Sequence, residues 1–242
     1  MNILAIDVGG TNVKLLMTGQ TEPKKFPSGP DLTPEQLVQG VLDVTKGWSF
    51  DVVSLGLPLV VTNGKLAEEP VNLGPGWMGF DFDAAFKRPV KLINDAAMQA
   101  LGSFQGGKML FLGLGTGLGA ALVADNVIVP LELAHLPYRK GMSYEDYLGL
   151  RGYEALGKKK WRLMVEDIVV RLRKAFQADY VVIGGGNSKR LNRLPPGARL
   201  GSNNNAFVGG YRMWDDASTP PAKTASGNGS ATPTVSTAVA TR

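Results

Sequence analysis

The chain has no cysteine and a single histidine, His135. The first absence excludes a disulfide framework, a cysteine-ligated zinc or iron–sulfur centre and a thiol nucleophile. The second excludes a metal site built from several imidazoles. No apolar run approaches the ~20 residues that a membrane helix needs. The opening Met1-Asn2-Ile3-Leu4-Ala5-Ile6-Asp7 lacks a basic n-region and meets an acid too early for a signal peptide. These readings lead us to expect a soluble, cytoplasmic protein without a membrane partner. What is present is globular in composition: of 242 residues 44% are apolar and 19% charged, which excludes wholesale disorder. At ~100–200 residues per domain, the length suits two modest domains sharing a cleft.

The net charge is +5, and much of the excess is local. Lys158-Lys159-Lys160, Arg162, Arg171, Arg173 and Lys174 gather on one predicted helix and its approach. A patch of this kind can hold a polyanion, attract nucleic acid or simply face solvent; we read it as a solvated face with no specific nucleic-acid partner. Of the 27 residues from Asp216 to Arg242, 21 are Ser, Thr, Ala, Pro or Gly. Such a segment cannot bury enough surface to offset its ordering entropy, so 216–242 is expected to be a disordered tail.

Between the start and this tail, strands and helices alternate, the mark of an α/β fold. Strands are expected at Asn2–Asp7, Lys14–Thr18, Val52–Leu57, Val90–Ile93, Met109–Leu112, Ala120–Ala124 and Tyr180–Ile183. A helix opens at Thr33, where Pro34 and Gln36 complete a capping box, and another follows Asn94-Asp95 through Gln105. Ser143 caps a further helix with Asp146 three residues on. The spacing of Trp161, Met164, Val165, Ile168, Val169, Leu172, Ala175 and Phe176 predicts one buried helical face. Asn205–Met213 reads as a short closing helix. Domains are expected at 1–108 and 109–215.

Two glycine turns join strand to strand, not strand to helix. Asp7-Val8-Gly9-Gly10-Thr11-Asn12-Val13-Lys14 places bare backbone N–H groups and a hydroxyl around a concavity suited to phosphate oxygens, with Asp7 able to hold Mg2+ beside them. A tight hairpin with an Asp bonding its own turn accounts for the same residues. Gly113-Leu114-Gly115-Thr116-Gly117-Leu118-Gly119 repeats the device with Thr116 as hydroxyl donor. The Gly115, Gly117, Ala120 match to a dinucleotide fingerprint fits less well than a second phosphate hairpin, because a strand follows and no acid stands about twenty residues on. Gly184-Gly185-Gly186 at a strand end would let a flat ligand lie against backbone. Asn94-Asp95 sits at a strand-to-helix junction, where a carboxylate can act as general base on a hydroxyl or simply cap the helix. Glu132-Leu133-Ala134-His135 brings a carboxylate and an imidazole within three residues.

Taken in order, Ile6–Thr11 with Lys14, Val71-Asn72-Leu73 with Gly76-Trp77, Asn94-Asp95-Ala96, Leu112–Gly119, Glu132–His135 and Gly184–Lys189 resemble the ROK family of sugar kinases, nearest its polyphosphate-glucokinase branch. The resemblance implies a ribonuclease H-like (actin-like ATPase) α/β fold with two domains flanking a cleft. It implies phosphoryl transfer from ATP or polyphosphate to a hexose, glucose giving glucose 6-phosphate, in a homodimer using Mg2+ and no structural zinc. A non-catalytic sugar sensor of the same family, or a kinase of the superfamily acting on a non-sugar substrate, is the alternative. By resemblance, Asp7, Gly9, Gly10, Thr11 and Lys14 would form one phosphate loop and Gly115, Thr116 and Gly117 the other. Asp95 would be the base, and Asn72, Asn94, Asp95, Glu132 and His135 would bind the sugar. Gly184, Gly185 and Gly186 would face the nucleotide. The chain departs from the family pattern in lacking the cysteine-rich zinc element, in carrying Ala134 where glycine is usual, and in being short.

Overall fold

The computed structural model describes residues 1–215 except Val71, Asn126 and Asn203; the tail expected to be disordered lies outside the described residues. In the first half, β1 (Ile3–Val8) pairs antiparallel with β2 (Asn12–Met17), which pairs with β3 (Lys24–Pro27). Helix α1 (Pro34–Val44) follows, then β4 (Val52–Leu57), the small ribbon β5 (Val61–Thr62) and β6 (Lys65–Leu66), and α2 (Phe82–Phe86). Strand β7 (Val90–Asn94) runs without a break into α3 (Asp95–Ser103). In the second half come β8 (Lys108–Leu114), β9 (Leu118–Ala124) and β10 (Val127–Leu131), the hairpin β11 (Pro137–Arg139) and β12 (Met142–Ser143), then α4 (Tyr144–Leu148) and α5 (Leu150–Ala175). Strand β13 (Tyr180–Gly184), a 3-10 turn at Gly186–Arg190, β14 (Ala198–Leu200) and α6 (Asn205–Arg212) close the chain.

The two five-stranded sheets have orders β3-β2-β1-β4-β7 and β10-β9-β8-β13-β14. Counted within each half, both read 3-2-1-4-5: an antiparallel meander of three strands followed by two parallel ones. The glycine turns therefore occupy equivalent places, at the first hairpin of each sheet. Burial explains why the central strands were legible. Strands β1 and β4 are buried at every position, as strands covered on both faces must be. Strand β3 went unrecognised because Lys24, Lys25 and Pro27 belong to an edge, where charge and proline block further pairing.

The α1 cap forms as expected: Gln36 N–H donates to Thr33 Oγ1 at 3.3 Å and Thr33 N–H to Gln36 Oε1 at 3.0 Å. Helix α5 kinks at Gly157, whose φ of 71° lies outside the helical region. After the kink, Trp161, Val165, Ile168, Val169 and Leu172 are buried, whereas Met164 and Phe176 are half-buried and Ala175 is exposed, so the buried stripe is narrower than the spacing suggested.

Helix α3 joins the halves. It continues β7 of the first sheet, yet Ala96, Ala97 and Ala100 pack with Met109, Phe111, Ala121 and Val123 of the second. Helix α6 follows the whole second sheet in sequence but lies on the first: Ser54 Oγ donates to the Gly210 carbonyl at 2.5 Å, and a Cβ on Gly210 would lie 2.7 Å from that of Ala5. The first sheet thus ends at Asn94 and the second begins at Lys108, while α6 follows the second in sequence and packs on the first.

Candidate active site

Strand β1 carries Asp7 into the interior, leaving it 7% exposed, opposite Lys14 across the hairpin. Lys14 Nζ stands 3.9 Å from the Asp7 carboxylate. Burial raises the Asp7 pKa and the Lys14 charge only partly opposes this. The bend closes by Gly9 N–H donating to the Asn12 carbonyl at 3.1 Å. Ser28 fastens it from behind, its N–H donating to the Thr11 carbonyl at 3.0 Å and its hydroxyl to the Gly9 carbonyl at 2.5 Å. Gly10 and Thr11 remain exposed, and nothing lies within 4 Å of a Cβ built on Gly10.

The second hairpin is held from three sides. Gly115 N–H donates to the Gly117 carbonyl at 3.0 Å, Asn187 Nδ2 donates to the Gly115 carbonyl at 2.7 Å, and Leu150 N–H donates to the Thr116 carbonyl at 3.1 Å. Leu118 N–H donates to a Glu145 carboxylate oxygen at 3.1 Å, and a side chain at Gly117 would have to displace the same carboxylate. Thr116 itself is exposed. Only Gly186 of the third glycine run faces open space. Gly184 abuts the Phe111 ring, and Gly185, at φ 80°, presses against the Leu114 backbone, so these two serve close packing of β13 against the second hairpin.

Asn94 takes the N-cap of α3, its Oδ1 accepting from Ala97 N–H at 3.1 Å while its Nδ2 donates to the Leu59 carbonyl at 3.2 Å. The cap reading thus belongs to Asn94, and Asp95 is left as the first helical residue. Its Oδ1 accepts from Ala96 N–H at 2.7 Å. Dense protein surroundings push the Asp95 pKa up to about 7, helped by the negative charges of Asp7 and, less, Glu132. The same helix start touches the second sheet, since a Cβ on Gly119 would lie 2.7 Å from that of Ala96. Asp95 thus stands at a helix start that touches the second sheet and within the field of Asp7 on the first.

Glu132 and His135 flank a turn closed by Leu136 N–H donating to the Leu133 carbonyl at 3.2 Å; both are exposed, whereas Leu133 and Ala134 are buried. Partial burial raises the Glu132 pKa, the His135 charge lowers it, and the carboxylates of Glu68 and Glu145 raise it again. Ala134 has no left-handed backbone and meets no demand for glycine. Asn72 is exposed on the loop between Leu66 and Phe82, and among the described residues no hydrogen bond ties it to Asp95, Glu132 or His135. Sequence reasoning missed Glu68, Glu145 and Ser28. Glu145 lies between Ser143 and Asp146 of a capping box, where a helix start accounts for an acid and hid its other role.

The three arginines of the basic patch are consumed by local structure. Arg162 Nε donates to the Arg190 carbonyl at 2.7 Å, Arg171 Nε to Asp167 at 2.7 Å, and Arg173 Nη2 to the Asp179 carbonyl at 2.9 Å. Lys158, Lys159, Lys160 and Lys174 face solvent.

Two sheets of equal topology, each beginning with a glycine hairpin and bridged by a helix with a carboxylate at its foot, define a ribonuclease H-like, actin-like ATPase fold. A 1.8 Å crystal structure of an inorganic polyphosphate/ATP-glucomannokinase from Arthrobacter sp. strain KM superposes with a TM-score of 0.74 at 25% identity, covering 88% of this chain and 97% of that one. A polyphosphate glucokinase of Mycobacterium tuberculosis is 25% identical over 217 residues, 79% of this chain and 80% of the relative. An N-acetylmannosamine kinase of Vibrio vulnificus is 28% identical over 144 residues, 52% of this chain and 48% of its own. The ROK family model matches residues 3–130, and the chain belongs to the ROK family.

Proposed function

We propose that the chain is a sugar kinase transferring a phosphoryl group from ATP or polyphosphate to a hexose hydroxyl, with glucose giving glucose 6-phosphate. The observation that carries this reading is the Asp95 carboxyl, set between Asp7 and Glu132 with a pKa of about 7. At neutral pH a substantial fraction is ionised, and that carboxylate is basic enough to take a proton from an alcohol as the transition state develops. Glu132 and His135 bond the sugar hydroxyls and aim one of them at Asp95. Asn94, whose amide is engaged within the protein, positions Asp95. Asn72, exposed on its loop, would add a hydrogen bond to the sugar.

The donor's phosphates lie along the exposed tips of the hairpins, with Gly9, Gly10, Thr11 and Lys14 on one side and Gly115, Thr116 and Gly117 on the other. Amides and hydroxyls fixed in advance stabilise charge on the transferring group without reorganising. Gly186, with open space before it, is where a nucleotide would approach. Among the described residues no group of three or more His, Cys, Asp or Glu could hold a metal by protein ligands alone. Asp7 nonetheless fits Mg2+: it is a buried carboxylate beside a second one, a strain that a cation relieves, and Mg2+ is usually held by one or two carboxylates plus phosphates and water. That ion would neutralise charge on the donor. We place the reaction in the cytoplasm, where such donors are kept, and expect a homodimer.

The test is glucose 6-phosphate formation by the purified chain with ATP and, separately, with polyphosphate. Turnover with either supports the reading. No phosphorylation of glucose, mannose or N-acetylmannosamine with either donor overturns it.

A further inference from the structure

The turn bearing Glu132 and His135 is continuous with the hairpin of β11 and β12. Pro137 pairs with Ser143, Tyr144 N–H donates to the Leu136 carbonyl at 3.1 Å, and Glu145 N–H donates to the Ala134 carbonyl at 2.9 Å. One ladder therefore runs from the hairpin tip to the site, with His135 held between its last rungs. At the far end Lys140 and Gly141 have φ of 52° and 73°, both left-handed, as a two-residue type I′ turn requires.

A lone two-stranded hairpin is marginal in water, and this one buries little. From Pro137 to Met142 every residue but Tyr138 is exposed. The Tyr138 ring stacks on Tyr144 at 5.1 Å between centroids and meets Tyr147 edge-on at 5.1 Å. Its hydroxyl donates to Asp167 on α5, and the same Asp167 oxygen accepts from Arg139 Nη2 at 3.1 Å and Arg171 Nε at 2.7 Å. Three donors thus converge on one carboxylate oxygen, two from the hairpin and one from α5. Burial, with the hydrogen bond to and the charge of Asp167, pushes the Tyr138 pKa up to about 12, so the phenol stays protonated and donating.

We propose that Asp167 and Tyr138 are positioning residues for the sugar: they fasten the β11–β12 hairpin to α5 and thereby fix the turn that presents Glu132 and His135. This rests on the reading of that turn as the sugar-binding element. Neither residue touches substrate. The fastening acts on sugar affinity more than on the donor hairpins, because Asn187, outside both the fastened segment and α5, keeps its hold on the second of these.

The experiment measures initial rates against glucose and against donor for the full chain and for Asp167→Ala, Asp167→Asn and Tyr138→Phe, with hydrogen exchange of the 134–145 segment. Asp167→Ala should raise the glucose KM about tenfold, equivalent to 1.4 kcal/mol, with kcat and donor KM within about twofold. Asp167→Asn keeps an acceptor oxygen and should restore most of the affinity, and Tyr138→Phe should fall between. Exchange at 134–145 should rise in Asp167→Ala while that of β8 and β13 does not. Faster exchange with an unchanged glucose KM, unchanged exchange, or a fall in kcat together with both KM values would each overturn the proposal. Should the unsubstituted chain phosphorylate no hexose, the sugar reading fails by itself, and unchanged exchange in Asp167→Ala would separately refute the fastening.

Discussion

Asp95→Asn separates what the site does from what it costs the fold. In the folded chain the Asp95 pKa is about 7 against an ordinary 3.8. Because the folded value is the higher one, the native state holds the proton more tightly than the unfolded chain, so the group's contribution is neutral below pH 3.8 and becomes increasingly unfavourable as pH rises through 7. Linkage at 1.36 kcal/mol per pKa unit puts the penalty at roughly 4 kcal/mol at pH 8, under 2 at pH 5 and close to zero at pH 3. Asparagine has the same shape, keeps an oxygen for Ala96 N–H, and removes the charge. If it recovers even a third of the penalty, at ~2–4 °C per kcal/mol the melting temperature at pH 8 should rise by about 3–5 °C. That gain should shrink toward zero by pH 4.

The same substitution should lower kcat by about 10²–10⁴, the usual worth of a general base, and leave glucose binding by calorimetry within a few-fold. In the unsubstituted chain kcat/KM should rise with pH through about 7, since that ratio reports the free enzyme, and this limb should vanish in the variant. Thermal melts at four pH values and a rate–pH profile suffice. An Asn variant that is active within tenfold, or one whose melting temperature at pH 8 is lowered, would refute the assignment of Asp95 as a strained, catalytically poised carboxylate.

Asp7→Asn should move the Asp95 titration, followed by carboxyl NMR without nucleotide or metal, below 7 but not to 3.8, because burial is the larger cause and the Asp7 charge the second; an unmoved midpoint would mean that the two acids do not share one field. Gly185→Ala asks a side chain to occupy φ 80° against the Leu114 backbone. It should cost more than ~2 kcal/mol in urea melts, given ~1 kcal/mol for the backbone region alone plus overlap, and a neutral result would refute the close-packing role. Asn187→Ala removes the 2.7 Å bond to the Gly115 carbonyl and should raise donor KM about threefold to tenfold, a loss of ~1 kcal/mol for one hydrogen bond, without changing glucose KM.

Much of the fold was legible because its central strands carry uninterrupted apolar side chains and its helices carry their own caps. Val52–Leu57 has the limits the pattern gave it, and Thr33 and Ser143 cap as their neighbours require. Edge elements were not legible. Lys24–Pro27 and Ala198–Leu200 owe their strand conformation to a neighbour in the sheet and to nothing in their own composition. The hairpins themselves were legible, since glycine runs between two apolar segments have few other uses. The placement of α6 on the first sheet was not, because the bond from Ser54 to Gly210 spans 156 residues and no local pattern encodes it. At the site, sequence singled out Asp95 but could not divide the work of Asn94-Asp95. Which residue caps is decided by the β7–α3 junction. Glu145 escaped for a similar reason: its backbone serves a helix start while its side chain serves a hairpin 27 residues earlier.

The charges also divide the site. Burial and the charges of Glu68 and Glu145 raise the Glu132 pKa against the His135 charge, and the Ser143 hydrogen bonds with, less, the His135 charge lower that of Asp146. Glu68, Glu132 and Asp146 lie on the side proposed for the sugar, Glu145 reaches across to the Leu118 N–H of the second hairpin, and the exposed hydroxyls and glycine backbone lie on the side proposed for the donor. A neutral hexose, with several hydroxyls to donate, loses nothing by meeting carboxylates and gains acceptors. A polyphosphate or nucleotide tail entering the same place would meet like charges at short range in a partly desolvated setting, which costs several kcal/mol. On the proposed function, the acids that receive the sugar would repel the donor and confine it to the hairpin tips. Asp95 stands on the boundary, which is why it alone is pressed from both directions, by Asp7 and by Glu132.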